Sequence, residues 1–166
     1  MLNTVWEAFE RSASQYAELP FLHIPPQATA QYGGHAVHLA YGETLTQVAA
    51  LAARYRSAGY GPGQRVALVL ENRVQFFLHF LALNCAGAGI VPVNPAFPAS
   101  EMQFVIGHSD ACLVVALPEY CQKVVQVLGA AAPPVVASDS TANFPVVGTP
   151  AAGKAGLQSE VALLYT

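Results

Sequence analysis

Charge is scarce in this sequence. Only 10% of its 166 residues are Asp, Glu, Lys or Arg, whereas a typical soluble domain carries about 25%. The seven basic residues are scattered and the net charge is −3, which excludes the basic stripe that binds nucleic acid. With 54% hydrophobic residues, the chain is either a small protein with a polar, uncharged surface or a piece that buries one side against further protein. We favour the second reading, which predicts that the isolated chain forms a homodimer or binds hydrophobic dye.

Cysteines and long apolar runs are also few. The three cysteines are odd in number and match no metal-binding or redox spacing, so we expect reduced thiols and a cytoplasmic location. Cys85 and Cys112 fall in apolar segments, where buried structural thiols are usual. The most apolar stretch, 76–90, is shorter than the about 20 residues that a transmembrane helix needs. Glu7 and Glu10 interrupt the amino-terminal stretch, so no signal peptide is expected and we predict a soluble protein.

The sequence contains no convincing catalytic or metal-binding constellation. His35 and His38 lie near a predicted turn, but no acidic residue or thiolate accompanies them, so no metal site is expected. His79 falls on an apolar helix and is expected to be a hydrogen-bonded core or interface residue. Asp110 and Asp139 are far apart, which leaves no pair of carboxylates for acid–base chemistry.

The glycine-rich run 59–63 is the one candidate for a phosphate-binding loop. It precedes a predicted strand, whereas a dinucleotide-binding loop follows a strand and opens a helix. The strand that comes next, 65–70, is followed by Glu71, Asn72 and Arg73, without a glycine that would let phosphate approach the backbone. The glycines therefore indicate a turn, and a self-contained Rossmann site is not expected.

Helices and strands are predicted to alternate along the chain. Apolar residues at helical spacing predict helices over 3–17, 43–58, 72–86, 100–108 and 118–131. We expect Asn3 or Thr4, Asn72 and Ser100 to cap the first, third and fourth of them. Short apolar runs predict strands at 21–24, 37–41, 65–70, 90–93, 112–116, 135–137 and 161–166. Residues 138–156 read as a surface linker. The pattern predicts an α/β fold with a mostly parallel sheet and helices on both faces.

The last predicted strand, 161–166, is apolar and lacks a following turn or polar tail. Such a run suits the buried interior of a parallel sheet. Because strands of α/β sheets deliver functional loops from their carboxyl ends, we expect such a loop to begin at Tyr165 and Thr166.

Four segments, in order, resemble motifs of one enzyme superfamily. Leu39–Leu45 (LAYGETL) is similar to its LTYxEL motif, and Gly61–Ala67 (GPGQRVA) to its GxGDRVA turn and strand. Gly87–Pro95 (GAGIVPVNP) resembles GAVxVPVNP, and Glu160–Thr166 (EVALLYT) resembles the strand that leads into a phosphate loop. The motifs are those of the adenylate-forming (AMP-binding) superfamily of acyl-CoA synthetases, luciferases and adenylation domains.

The resemblance implies a function. It implies that residues 1–166 are the N-terminal portion of an AMP-binding large domain, completed by the remainder of the parent chain. The parent would activate a carboxylic acid with ATP and Mg²⁺, form an acyl-adenylate, and transfer the acyl group to CoA. Thr166 would be the first residue of the phosphate loop and is the candidate cofactor-binding residue. The family's catalytic lysine and substrate contacts come later in sequence, so this segment is expected to be a scaffold without catalytic residues.

Two alternatives remain open. Asn94 stands where amino-acid-activating domains usually have Asp, which favours an acid–CoA ligase over a domain that loads a carrier protein. The other alternative is a free-standing α/β module that keeps the fold without the chemistry and binds a small molecule or a partner.

Overall fold

Helices and strands alternate along the chain as predicted. The structure, a computed structural model, describes residues 4–30, 33–140, 142–147 and 160–165. The helices are α1 (Val5–Gln15), α2 (Tyr41–Ser57), α3 (Val74–Ala86), α4 (Ala99–His108) and α5 (Pro118–Leu128). The strands are β1 (Pro20–Ile24), β2 (Val37–Ala40), β3 (Arg65–Val69), β4 (Gly89–Pro92), β5 (Ala111–Ala116) and β6 (Val135–Ala137). Short 3₁₀ turns cover Pro26–Thr29 and Gly129–Ala131.

A parallel sheet organises the second half of the chain. Its strand order is β4-β3-β5-β6, with every neighbouring pair parallel. The chain passes from β3 through α3 to β4 on one side, and then through α4 to β5 on the other side of β3. Because parallel crossovers are right-handed, this reversal places α3 and α4 on opposite faces of the sheet. The predicted α/β fold, with a mostly parallel sheet and helices on both faces, is confirmed.

Side chains of β3 alternate between two apolar cores. Val66 and Leu68 pack into the core that contains residues of α1, α2 and α3. Ala67 and Val69 pack into the core that contains residues of α4 and α5. Each of these four residues is at most 1% exposed. Burial on both faces explains why this strand reads as a continuous apolar run rather than an alternating one.

The N-terminal part adds a small antiparallel sheet of β1 and β2. Helix α1 begins after Thr4, whose hydroxyl accepts the Glu7 N–H at 3.0 Å, as the capping prediction requires. Behind the strand pair, Phe9 of α1 packs edge-on against Phe21, at 5.0 Å between ring centroids, and stacks on Tyr41 at 5.9 Å. This aromatic cluster attaches the antiparallel pair to α1 and α2.

Two of the predicted helix caps are wrong. Helix α3 begins at Val74 and α4 at Ala99, and the preceding residues make no side-chain capping bond. Asn72 misses the capping position because Glu71 leaves β3 in a left-handed conformation, with φ 53°, and the chain needs further residues to turn into α3. Ser100 lies inside the first turn of α4 because the fixed ring of the preceding proline already sets the direction of entry.

Part of the predicted 138–156 linker packs against α2. Phe144 is only 5% exposed and stacks on Tyr55, with ring centroids 4.3 Å apart. The Arg54 guanidinium lies 4.7 Å from the centre of the same ring. A single aromatic residue in a Ser-, Thr- and Pro-rich stretch thus supplies enough apolar surface to hold the segment in place. Residues 141 and 148–156 of this stretch lie outside the described residues.

The segment 160–165 lies along the outer edge of β4 and not in the interior of the sheet. The Ile90 N–H donates to Val161 O at 3.2 Å, and the Leu163 N–H donates to Ile90 O at 2.8 Å. Its direction is parallel to β4. The expectation of a buried strand is wrong, since Leu164 is 70% exposed. An edge position covers only one side of a strand, which is the physical reason for this exposure.

Candidate functional site

A crevice opens at the carboxyl ends of the parallel strands. The connections after β3 and β5 leave toward opposite faces of the sheet, which is the arrangement that opens ligand-binding crevices in doubly wound folds. The cavity here measures about 590 Å³. Its lining includes Glu71, Asn72, Phe76, Asn94, Phe97 and Tyr120.

Glu71 anchors the floor of this crevice. One of its carboxylate oxygens accepts the Tyr120 hydroxyl, and the other accepts Arg73 Nε–H at 2.9 Å. These hydrogen bonds, that of Tyr120 first, lower the pKa of the Glu71 carboxyl. The positive φ of 53° costs free energy for a residue with a Cβ. The hydrogen bonds to Tyr120 and Arg73 offset this cost. Both form with the carboxylate in the position that this backbone conformation gives it.

Arg73 extends the network from β3 to α5. Its Nη2 lies 2.6 Å from Glu119 Oε1, while its Nε holds Glu71. The Arg73 side chain is 14% exposed, whereas that of Glu119 is 46% exposed. One arginine therefore bridges two carboxylates and ties the residues after β3 to the start of α5.

The loop after β4 forms the opposite wall. Asn94 Oδ1 accepts the Ala96 N–H at 2.9 Å, which closes a tight side-chain turn. Lys123 of α5 donates from Nζ to Pro95 O at 2.6 Å and fixes the loop from the other side. Because an Asp oxygen would accept the same N–H, the turn tolerates either residue. The structure thus offers no reason why Asn at this position would select one substrate class.

Two side-chain contacts attach the segment 160–165 to β3 and α4. Arg65 binds Glu160 through both carboxylate oxygens, at 2.7 and 2.8 Å, and its remaining Nη1 donates to Ser109 O at 2.9 Å. The hydrogen bond to Glu160 raises the pKa of Arg65. At the other end, the Tyr165 hydroxyl lies 3.0 Å from His108 Nδ1. Since the segment runs parallel to β4, its carboxyl end points toward the same edge as the crevice. Thr166, the predicted phosphate-contacting residue, lies outside the described residues.

The described residues do not fit a nucleotide–metal site by themselves. Among them, no three His, Cys, Asp or Glu side chains converge in a group that would hold a metal ion. The carboxylate oxygens of Glu71 are already occupied by Tyr120 and Arg73. No catalytic step is therefore assigned to this part of the chain.

The remaining residues singled out in the sequence lie away from the crevice. His79 is 2% exposed and bonds Tyr55 Oη at 2.6 Å and Ser138 O at 3.2 Å, which confirms the predicted core role; burial lowers its pKa to about 4. The three thiols are only partly buried, against the expectation of burial for Cys85 and Cys112, and desolvation raises the pKa of Cys85 and Cys121. His38 pairs with His23 rather than with His35.

Sequence reasoning does not find the Glu71 network. In the sequence, the triplet of Glu71, Asn72 and Arg73 stands out only for its lack of glycine. The available signal is a pair of opposite charges, Glu71 and Arg73, between a buried strand and an apolar helix, because charges at the carboxyl edge of a sheet lie where ligands bind. The partners of the network on α5, Glu119 and Tyr120, cannot be found in this way, since α5 follows β5 and lies far from this triplet in sequence.

The comparisons with known proteins agree with this architecture. A family model described as AMP-binding enzyme matches residues 9–160. The chain belongs to the AMP-binding enzyme family. It is 35% identical to feruloyl-CoA synthase of Amycolatopsis sp over 102 residues, and 35% identical to a linear gramicidin synthase of Brevibacillus parabrevis over 92 residues. These matches cover 61% and 51% of the chain.

A solved structure of similar fold is that of the N-terminal domain of FACL13 from Mycobacterium tuberculosis. It has a TM-score of 0.70 at 20% identity, over 83% of this chain and 34% of that one, and it supports the fold alone. The chain spans only 20% of the feruloyl-CoA synthase and 2% of the gramicidin synthase. Within the part of the chain that the structure describes, every helix is too short or too polar to cross a membrane.

Proposed function

We propose that this chain is the N-terminal part of an ATP-dependent, AMP-forming acid–CoA ligase. The reaction joins a carboxylic acid to the α-phosphate of ATP with release of pyrophosphate, and the CoA thiol then displaces AMP to form the thioester. The family match over residues 9–160 supports adenylate-forming chemistry. The likeness to feruloyl-CoA synthase supports CoA as the acyl acceptor.

The observation that carries the proposal is the position of the segment 160–165. It runs parallel to β4, so its carboxyl end points toward the edge of the sheet where the crevice opens. A loop that continues from Thr166 would therefore rise beside the crevice, as a phosphate loop that follows a parallel strand does. In this proposal Thr166 begins that loop and its hydroxyl contacts phosphate.

The role of the described residues is to position that loop. Arg65 and Glu160 fix the start of the segment, and His108 fixes Tyr165 next to the loop. The rest of the parent chain supplies the contacts to ATP, Mg²⁺, CoA and the acid. In the same proposal the rest of the parent chain covers the exposed Leu164. Where that part is missing, a second copy of this chain covers Leu164 instead. We place the enzyme in the cytoplasm, where free thiols persist.

A second candidate is an amino-acid-activating domain that loads a carrier protein. The 35% identity to the linear gramicidin synthase over 92 residues favours it. The two candidates share adenylate formation and differ in the acid and in the acceptor of the acyl group.

The deciding experiment uses the protein made from the complete reading frame. We expect exchange of labelled pyrophosphate into ATP in the presence of a carboxylic acid, and AMP release that depends on CoA. Thr166→Val should lower the exchange rate while Thr166→Ser retains it, because only the serine keeps the hydroxyl. Exchange with amino acids alone, without CoA-dependent AMP release, would favour the second candidate. Robust exchange by residues 1–166 alone would refute the scaffold role, and a full-length protein inert with every acid would favour a binding module.

A further inference from the structure

Two histidines face each other on the outer side of the antiparallel β1–β2 pair. His23 and His38 are direct partners in its register, and both are exposed. The adjacent Ile24 and Leu39 are 7% exposed, so the alternation of the strands directs the two imidazoles toward solvent. Their ring centroids are 4.4 Å apart. The pair lies away from the crevice and has no part in the proposed ligase reaction.

The distance between the two rings suits a shared ligand. Their Nδ1 atoms are 3.1 Å apart, and a hydrogen bond at this distance requires one ring to donate N–H and the other to present a lone pair. Neutral imidazole nitrogens are also good ligands for Zn²⁺, Ni²⁺ and Cu²⁺. Two nitrogens bound to one such ion at about 2.0–2.1 Å are about 2.8–3.4 Å apart for right-angled to tetrahedral geometry. The observed separation lies within this range.

We propose that His23 and His38 form a bidentate site for a divalent transition metal, bound through both Nδ1 atoms. On binding, the donor ring loses its Nδ1 proton to water and gains one from water at Nε2. Both rings stay neutral and no net proton is released. Within the described residues no third His, Cys, Asp or Glu joins a metal-binding group, so water completes the coordination. The site is therefore open and of moderate affinity.

The strand pair supplies the rigidity that such a site needs. Phe21 of β1 packs against Phe9 and Tyr41 at ring-centroid distances of 5.0 and 5.1 Å, which holds the strands from the inner side. Once the first imidazole binds the ion, the second bond forms within the same molecule. The gain over a single imidazole is then roughly 100-fold in affinity. Because only the folded pair presents both nitrogens, bound metal also raises the thermal midpoint of unfolding.

The test is calorimetric titration of the untagged full chain with NiCl₂ and, separately, ZnCl₂, with the thiols kept reduced. We expect saturable binding of one ion per chain, weakened roughly 100-fold by either His23→Gln or His38→Gln. The exposed His35→Gln is the matched control and should leave the affinity unchanged. Paramagnetic broadening by Ni²⁺ should be strongest for the backbone amides of β1 and β2.

Three results would overturn the proposal. One is the absence of saturable binding with either ion. Another is binding that survives His23→Gln or His38→Gln, which would locate the metal at a cysteine or at another histidine. The third is equal weakening by His35→Gln, which would contradict a two-histidine site. Since both imidazoles are exposed, the two glutamine variants are expected to fold, and far-UV circular dichroism checks this directly.

Discussion

Replacing Gly89 with alanine puts a methyl group into the space that the Arg65–Glu160 ion pair occupies. A Cβ at position 89 would lie 2.8 Å from Glu160 Oε1 and 3.3 Å from its carboxyl carbon. Arg65 holds both carboxylate oxygens, at 2.7 and 2.8 Å. The carboxylate therefore has to give up at least one of these hydrogen bonds to make room.

The expected cost follows from the burial of the pair. Both side chains are 16% exposed, so the pair is largely withdrawn from water. A hydrogen bond to a charged group contributes about 1.5–3 kcal/mol, and breaking a fully buried pair costs about 3–5 kcal/mol. Arg65 keeps its bond to Ser109 O, and the displaced Glu160 is able to turn toward water. We therefore expect Gly89→Ala to lower the free energy of unfolding by about 2 kcal/mol.

Urea denaturation followed by far-UV circular dichroism measures this loss, and hydrogen exchange locates it. The amides of Ile90 and Leu163, which join β4 to the segment 160–165, should lose protection first. Gly107→Ala is the matched control. A Cβ there meets nothing within 4 Å, and an alanine inside α4 should stabilise by about 0.5–1 kcal/mol.

A double-mutant cycle decides whether the methyl group acts through Glu160. In a Glu160→Ala background the space is empty, so Gly89→Ala should cost little or stabilise the chain slightly. An equal loss in both backgrounds would refute the reasoning, because the destabilisation would then arise from the backbone or from Arg65 rather than from the displaced carboxylate.

Three further predictions concern other parts of the chain. The His79 pKa of about 4 lies below the ordinary value of about 6.5, so the unfolded chain binds the extra proton first as the pH falls. Between pH 7 and pH 4 this should remove about 3 kcal/mol of stability, and His79→Phe should flatten that slope in urea titrations. Phe144→Ala should cost about 3–4 kcal/mol, whereas Phe104→Ala, at a side chain that is 59% exposed, should cost about 0.5 kcal/mol or less; equal losses would contradict the packing role of Phe144. Tyr120→Phe should raise the pKa of Glu71, seen by NMR titration of its side-chain carboxyl, and an unchanged titration would show that Tyr120 does not set it.

Local patterns were sufficient for the elements and for the fold class. The β-branched run of β3 and the glycines that end α2 and α3 are signals between near neighbours in sequence, and they predicted the alternation of strands and helices. The family resemblance also rests on local patterns, because its motifs are short segments of consecutive residues.

Helix starts were less predictable. Asn72 has the right residue type for a cap, but the left-handed Glu71 changes where the helix begins. That conformation is maintained by Tyr120, which lies 49 residues further along the chain. The capping preference of Asn72 was overridden by the contact between Glu71 and Tyr120, which sequence spacing does not reveal.

The sequence by itself determined that this chain alternates helices with apolar strands, that its sheet is parallel, and which family it resembles. It did so because periodicity and turn chemistry act over a few residues. Only the tertiary structure decided that Arg65 meets Glu160, that His23 meets His38 and that Phe144 covers α2. These partners depend on strand order, register and crossover direction, which are settled by the packing of whole elements and not by the residues between them.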